Sequence, residues 1–212
     1  MLKVVNDRLA LKRHFRRIFE RPLPPGVTYF YCFGGVTFFL FLVLVFTGLV
    51  LSFYYVPSAG EAYSSIRYID ERLPAGWLMR SMHVWAASGM VVACVAHMLR
   101  VYVTGSYKEP REFNWVVGMC MFVLTMAFGF SGYLLPWDQK AFWATTVGTA
   151  MPGTAPGIGK FFVHLIRGGY DVTGTTLLRF YVFHVYIMPI VAMLLLWAHF
   201  HMIRRQGISG GL

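Results

Sequence analysis

The chain has 212 residues, of which 57% are hydrophobic and only 13% are charged. This composition excludes an ordinary soluble domain and indicates an integral membrane protein, with residues 1–212 forming a single domain in the lipid bilayer. The formal net charge of +10 does not indicate nucleic-acid binding, because the basic residues lie mainly at the ends of apolar stretches, as the positive-inside rule describes. Three isolated cysteines form neither a CxxC pair nor a disulfide framework: Cys32, Cys94 and Cys120.

The N-terminal segment, residues 1–22, carries seven of the nineteen Lys and Arg residues. Apolar residues interleave with these charges at approximately helical spacing: Val5, Leu9, Phe15, Ile18 and Phe19. The pattern predicts an amphipathic helix that lies on the cytoplasmic membrane surface and ends at Pro22.

Four long apolar stretches follow, over residues 31–56, 77–102, 115–135 and 177–203, and each can cross a bilayer of about 30 Å. Pro189 in the fourth stretch predicts a kink that a membrane helix tolerates. The 136–176 connection is too long for a simple turn and predicts short surface helices. The expected fold is therefore an all-α bundle of four transmembrane helices.

The loop charges orient this bundle. The N-terminal segment, residues 100–111 and residues 204–205 together hold twelve Lys and Arg residues and lie on the same side of a four-pass bundle. That side is predicted to be cytoplasmic or stromal, with the N-terminus on it. The opposite face is called the positive side below.

Four histidines form two spaced pairs: His83 and His97 are fourteen residues apart, and His184 and His199 are fifteen apart. Fourteen residues span roughly 21 Å of helix and return the side chain to within roughly 40° of its first direction. Equal depths then pair His83 with His184 on the positive side and His97 with His199 on the cytoplasmic side. Each pair can supply both axial ligands of a haem iron. One membrane histidine alone is as well explained by polar packing, but four at matched depths indicate haem binding.

His201 competes with His199 for the last ligand position. Seventeen residues from His184 turn a side chain roughly 100° away, whereas fifteen leave it about 60° away, so His199 is favoured. His201 is then either part of a cytoplasmic-side proton or quinone site or an ordinary surface histidine.

Glycines repeat the same period in the other two helices. They are fourteen residues apart in each helix: Gly34 and Gly48 in the first, Gly118 and Gly132 in the third. A flat macrocycle among helices requires close backbone approach, which glycine permits, although helix packing would account for any one of them.

Two arginines lie three residues beyond ligand histidines, toward the membrane surfaces: Arg80 beyond His83, and Arg100 beyond His97. Each guanidinium can either pair with a haem propionate or extend into the membrane interface.

These features occur within longer stretches that resemble a known family: Phe30-Tyr-Cys-Phe-Gly-Gly35, Gly132-Tyr-Leu-Leu-Pro-Trp-Asp138, Arg179-Phe-Tyr-Val-Phe-His184 and Met202-Ile-Arg-Arg-Gln-Gly-Ile-Ser-Gly210. The whole chain resembles the short, four-helix cytochromes b of split-cytochrome-b complexes, the cytochrome b6 type. The resemblance implies a subunit of a b6f/bc-type quinol:cytochrome c (or plastocyanin) oxidoreductase that oxidises menaquinol or plastoquinol and translocates protons. It also implies a bacterial cell membrane or, alternatively, a thylakoid membrane.

The same resemblance assigns further residues and partners. Cys32, which by itself resembles a buried free cysteine, corresponds to the cysteine that carries a covalent c-type haem. The Pro136-Trp137-Asp138 region corresponds to the quinol site, and Arg204 to a cytoplasmic-side haem or quinone site. The implied partners are a subunit IV-like membrane protein, a Rieske iron–sulfur protein and a c-type cytochrome, in a dimeric complex.

Two departures from the family pattern are Val84, where some members have arginine, and His201, where proline is common. A dihaem membrane anchor that serves a peripheral dehydrogenase or hydrogenase is the main alternative function. Such an anchor shares the paired histidines but does not predict the setting of Cys32 or the surface helices after Pro136. A channel or transporter without redox activity is disfavoured by the four-histidine geometry.

Overall fold

The computed structural model describes residues 25–209, so the predicted surface helix over residues 1–22 lies outside the described residues. Within this range the chain forms helices and turns and no strand. A 3-10 turn, Tyr29–Cys32, leads into the first α-helix. The α-helices are α1 Phe33–Ser52, α2 Ala62–Glu71, α3 Gly76–Val103, α4 Glu112–Leu134, α5 Gln139–Ala150, α6 Gly159–Arg167, α7 Gly174–Val182 and α8 Met188–Gln206.

Four helical segments are long and apolar enough to cross a membrane: Tyr29–Ser52, Gly76–Val103, Glu112–Leu134 and Gly174–Gln206. Their outward faces carry large apolar side chains, and Val92 and Val123 are 69% and 64% exposed. Such surfaces suit lipid or a membrane partner rather than water. The predicted all-helical bundle of four membrane-spanning segments is therefore confirmed.

The bundle consists of two helix pairs. Helix α1 packs mainly along α3, and α4 packs mainly along α8. In each pair, one helix carries the predicted glycines, and the predicted histidines lie on α3 or on the spanning segment that ends in α8. The period shared by glycines and histidines in the sequence therefore corresponds to helices that are neighbours in the fold.

The fourth spanning segment contains a π-helical turn, Phe183–Ile187, between α7 and α8. His184 lies in this turn, and Pro189 follows in the first turn of α8. A π turn closes its hydrogen bonds from residue i to i+5 and so adds one residue to the helix. The fifteen residues from His184 to His199 therefore give a helical phase similar to that of the fourteen from His83 to His97.

Helix α2 in the 57–76 connection was not predicted. It packs against the start of α3, and Ala62 and Ile69 are fully buried there in a cluster with Tyr55 and Leu177. Gly76 begins α3 against this helix, and a Cβ at that position would lie only 2.0 Å from the Ile69 carbonyl oxygen. Glycine is therefore required for the close approach of α2 and α3.

The 136–176 connection contains short helices, as predicted: α5, a 3-10 turn over Met151–Thr154, and α6. Arg167 at the end of α6 holds these elements together. Its guanidinium donates to Thr149 Oγ1 at 2.7 Å, to the Thr146 carbonyl at 2.8 Å and to the Tyr170 carbonyl at 2.7 Å.

Candidate functional site

The positive-side histidines meet inside the bundle. The ring centroids of His83 and His184 are 6.3 Å apart, with 65° between the ring planes. Metal–imidazole bonds are roughly 2.0–2.1 Å long, so an ion bonded to both rings holds their centres about 6 Å apart. The separation of these two rings fits a shared iron.

Three of the predicted glycines contact histidine rings. A Cβ on Gly48 would lie 3.1 Å from His83 Cε1, and one on Gly132 would lie 2.8 Å from His184 Cε1. A Cβ on Gly34 would likewise lie 3.1 Å from Cε1 of His97, which is predicted to be a ligand on the cytoplasmic side. The missing side chains therefore make room for the imidazoles.

The hydroxyls of Thr47 and Ser131 contact the same rings and were not predicted. His83 Nδ1 lies 2.9 Å from Thr47 Oγ1, and His184 Nδ1 lies 2.9 Å from Ser131 Oγ. Both hydroxyl residues are buried. Each immediately precedes a glycine of the predicted period, and this position next to the glycine is the only feature of the sequence that could have indicated the contact.

The cytoplasmic-side histidines line a cavity of about 330 Å³. His97 and His199 share this cavity with Gly34 and Gly118. Apart from the adjoining residues of its own helix, nothing lies within 4 Å of the position that a Gly118 Cβ would take. The buried Nδ1 of His97 has no hydrogen-bond partner among residues 25–209, and His199 lies beside the backbone of Asn114. Two imidazoles and two glycines around one open space are a fit for a planar macrocycle.

The polar end of this cavity is positively charged. Arg100 and Arg111 both line it, and no Asp or Glu does so among the described residues. The Arg100 guanidinium lies 3.9 Å from the ring centroid of Tyr31 and 3.5 Å from Ser106 Oγ. The Nε atoms of both arginines are buried without a partner in this part of the chain. Buried guanidinium donors of this kind are suited to the carboxylates of a haem.

Arg80, Arg204 and His201 lie in other surroundings. Arg80 forms an ion pair with Asp70 of α2, a partner that the sequence did not indicate. Arg204 and His201 are exposed and are not among the residues that line the cytoplasmic-side cavity. The His201 ring stacks on Trp197, with 5.7 Å between centroids. The haem or quinone roles of these residues remain predictions.

Cys32 ends the 3-10 turn that precedes α1, and it is exposed. Tyr31 and Gly34, on either side of it in the chain, line the cytoplasmic-side cavity. The thiol is therefore at the same end of the bundle as His97 and His199.

On the positive side, the Pro136-Trp137-Asp138 turn is held by two hydrogen bonds. Tyr55 Oη donates to the Leu135 carbonyl at 2.7 Å, and Asp138 caps α5 by accepting from the Ala141 N–H at 2.8 Å. Trp137 has a φ of 54°, in the left-handed region that non-glycine residues seldom occupy. Burial raises the pKa of Tyr55, which lies outside the spanning segments, so its phenol remains a donor.

Fold and site together define a class: a four-helix membrane-spanning bundle that brings histidines together in pairs near its two ends. The chain belongs to the cytochrome b family, since the family model "Cytochrome b/b6/petB" matches residues 18–207.

Individual relatives agree with this assignment. The chain is 47% identical to cytochrome b6 of Chlamydomonas reinhardtii over 206 residues. This match covers 97% of this chain and 96% of that protein. It is 45% identical over 207 residues to cytochrome b6 of Synechococcus sp. strain RCC307, covering 98% and 95%. A chain of the solved structure "Hyperthermophilic respiratory Complex III" superposes with a TM-score of 0.93 at 31% identity. The match covers 99% of this chain and 56% of that one, so the predicted resemblance to cytochromes b is confirmed.

Proposed function

We propose that the chain is the cytochrome b subunit of a quinol oxidoreductase of the bc/b6f type and carries electrons across the membrane between two haems b. The observation that carries this proposal is the placement of two histidine pairs at two depths, with glycines against three of the four rings. When bound, each haem supplies one-electron transfer. The protein that receives electrons from the complex is, in this proposal, a cytochrome c or a plastocyanin.

In this proposal, the histidines hold the haem irons and the helices exclude water from them. His83 and His184 bind the positive-side haem, and His97 and His199 bind the cytoplasmic-side haem. The guanidinium of Arg100 would pair with the carboxylates of the second haem, and Arg111, which the sequence did not single out, would add a second positive charge. This role is supported by the buried Nε atom of Arg100, which has no partner among the described residues, and by the lack of any Asp or Glu among the described residues that line the cavity.

Quinol is oxidised, in our proposal, on the positive side beside the Pro136-Trp137-Asp138 turn. Tyr55 stabilises the left-handed conformation of this turn by binding the Leu135 carbonyl. A subunit IV-like protein would complete the site, and a Rieske protein and a c-type cytochrome would accept electrons. Release of quinol protons on this side would contribute to a transmembrane proton gradient. The N-terminus would be cytoplasmic or stromal, and the complex a dimer.

Cys32 is proposed to carry a covalent c-type haem at the cytoplasmic end. The exposed thiol and the position of its neighbours at the cytoplasmic-side cavity support this assignment. A quinone, menaquinone or plastoquinone, would be reduced at this end of the molecule.

Reduced-minus-oxidised spectra of the purified complex test the proposal. The wild type should contain two b-type haems, and His83→Leu and His97→Leu should each retain one of them. His201→Leu is the matched control, since this exposed histidine is outside the cavity lining, and it should retain both. A wild-type complex without b-type haem refutes the proposed function.

A further inference from the structure

We propose that Thr47 and Ser131 are positioning residues that fix the tautomer of the positive-side histidines and lower the reduction potential of the haem bound by that pair. This inference rests on the proposed ligation of haem by His83 and His184. It predicts that the two histidine pairs hold their haems at different potentials.

Each hydroxyl forms a relay between a histidine and a helix carbonyl. Thr47 Oγ1 lies 2.7 Å from the Val43 carbonyl oxygen and 2.9 Å from His83 Nδ1. A hydroxyl has one proton to donate and two lone pairs. When the Thr47 hydroxyl donates its proton to the Val43 carbonyl oxygen, a lone pair of Oγ1 faces the His83 ring and accepts a hydrogen bond from Nδ1–H. The proton of His83 is thereby held on Nδ1, and Nε2 keeps the lone pair that a metal requires.

Ser131 repeats this arrangement on the other side of the site. Its Oγ lies 2.8 Å from the Ala127 carbonyl oxygen and 2.9 Å from His184 Nδ1. Thr47 is fully buried and Ser131 is 3% exposed, so water does not compete for either bond. Both hydroxyls are followed by a glycine that contacts the same ring, in the dipeptides Thr47-Gly48 and Ser131-Gly132. In each dipeptide, the glycine makes room for an imidazole ring and the hydroxyl residue contacts its Nδ1.

The cytoplasmic-side pair lacks this device. The residues that precede Gly34 and Gly118 are Phe33 and Val117, which have no hydroxyl. His97 Nδ1 finds no partner within the described part of the chain, and His199 has only the backbone of Asn114 beside it. Within that part, a buried hydroxyl at Nδ1 is therefore a property of the positive-side pair.

The difference has an electronic consequence. A hydrogen-bond acceptor at Nδ1–H raises the basicity of a metal-bound imidazole. A more basic ligand stabilises ferric over ferrous iron, so the potential of the positive-side haem falls. Electron passage toward the cytoplasmic-side pair is then favoured. The buried hydroxyls would thus contribute to the driving force for this transfer.

Redox titration of the two b haems in the purified complex tests this inference. We expect Thr47→Val and Ser131→Ala each to shift the positive-side potential upward, with a larger shift when they are combined. Haem affinity at that site should fall by up to about 10–100-fold, as on loss of other outer partners of metal ligands. Thr47→Ser keeps the hydroxyl and should restore both quantities. Ser88→Ala removes an exposed hydroxyl that donates only to the Val84 carbonyl, and it should change neither.

The outcomes separate this inference from the proposed function. Absence of b haem from the wild type refutes the proposed function itself. Haem retained at wild-type potentials in both Thr47→Val and Ser131→Ala overturns only the role of the hydroxyls. Selective loss of the positive-side haem, restored by Thr47→Ser, supports that role. Loss of both haems, or a Thr47→Ser variant that behaves like Thr47→Val, shows a packing role and overturns it.

Discussion

Gly132→Ala tests whether the His184 ring depends on the space that Gly132 leaves and on the Ser131 hydroxyl; these two residues are called the His184 cradle. The added Cβ would lie 2.8 Å from His184 Cε1 and 3.4 Å from both ring nitrogens, so the ring must move. Its Nδ1 is bound to Ser131 at 2.9 Å, and a ring that moves away loses that bond. Overpacking of this kind costs about 1–3 kcal/mol.

The loss of the hydrogen bond adds about 0.5–1.5 kcal/mol, whereas replacing glycine by alanine in a helix returns up to about 1 kcal/mol. A net cost of about 0.5–3.5 kcal/mol remains. Since each 1.4 kcal/mol is a factor of ten, haem affinity at this site should fall by roughly 2- to 300-fold. The assay is haem titration into the haem-depleted complex, followed by the b-type difference spectrum.

Gly129→Ala is the matched control, because it lies in the same helix with no atom within 4 Å of its added Cβ. It should leave haem affinity unchanged and stabilise the helix by up to about 1 kcal/mol. Equal effects of the two substitutions would refute the cradle, since they would show that the ring does not depend on the missing Cβ.

Three further predictions concern other parts of the molecule. Cys32→Ala should abolish haem staining of the chain on a denaturing gel while Cys120→Ala retains it; staining that survives in Cys32→Ala contradicts the covalent attachment. Tyr55→Phe removes the bond to the quinol-site turn, worth about 0.5–1.5 kcal/mol. It should raise the KM for quinol several-fold, whereas the exposed Tyr68→Phe should not; equal KM values would argue against the role of the turn. Arg100→Gln removes a cation from the cytoplasmic-side cavity and should lower the potential of that haem alone, and an unchanged potential in a redox titration would exclude the pairing.

The histidine pairing could be predicted because helical spacing is arithmetic. Fourteen residues return a side chain nearly to the same face. This spacing alone was enough to predict that His83 and His97 share one face of their helix. His184 and His199 seemed about 60° out of phase because straight α-helix geometry was assumed. The π turn at Phe183–Ile187 supplies the extra residue, and a single sequence carries no clear signal for such a turn.

The hydroxyl partners were harder to predict. Thr47 and Ser131 precede glycines of the recognised period, but serine and threonine in helices commonly bond only to their own i−4 carbonyl. Whether a hydroxyl also meets a ring on another helix depends on how α1 packs on α3 and how α4 packs on α8. Sequence spacing within one helix does not contain that information.

Helix α2 was missed for a different reason. Its apolar residues have helical spacing, but the segment is only 10 residues long and too polar to be recognised in a search for membrane spans. The ion pair of Arg80 with Asp70 follows from the way this helix packs at the start of α3. The sequence therefore placed Arg80 near His83, a predicted ligand, but did not reveal that Asp70 is its acidic neighbour.

The central claim is that the four histidines hold two separate haems at opposite ends of the bundle. An optical redox titration of the purified complex, in wild type, His83→Leu and His97→Leu, tests it most directly. We predict two b-type components in the wild type, with the lower-potential one missing from His83→Leu and the higher-potential one missing from His97→Leu. A single b-type component in the wild type, or the same component missing from both variants, would contradict the claim.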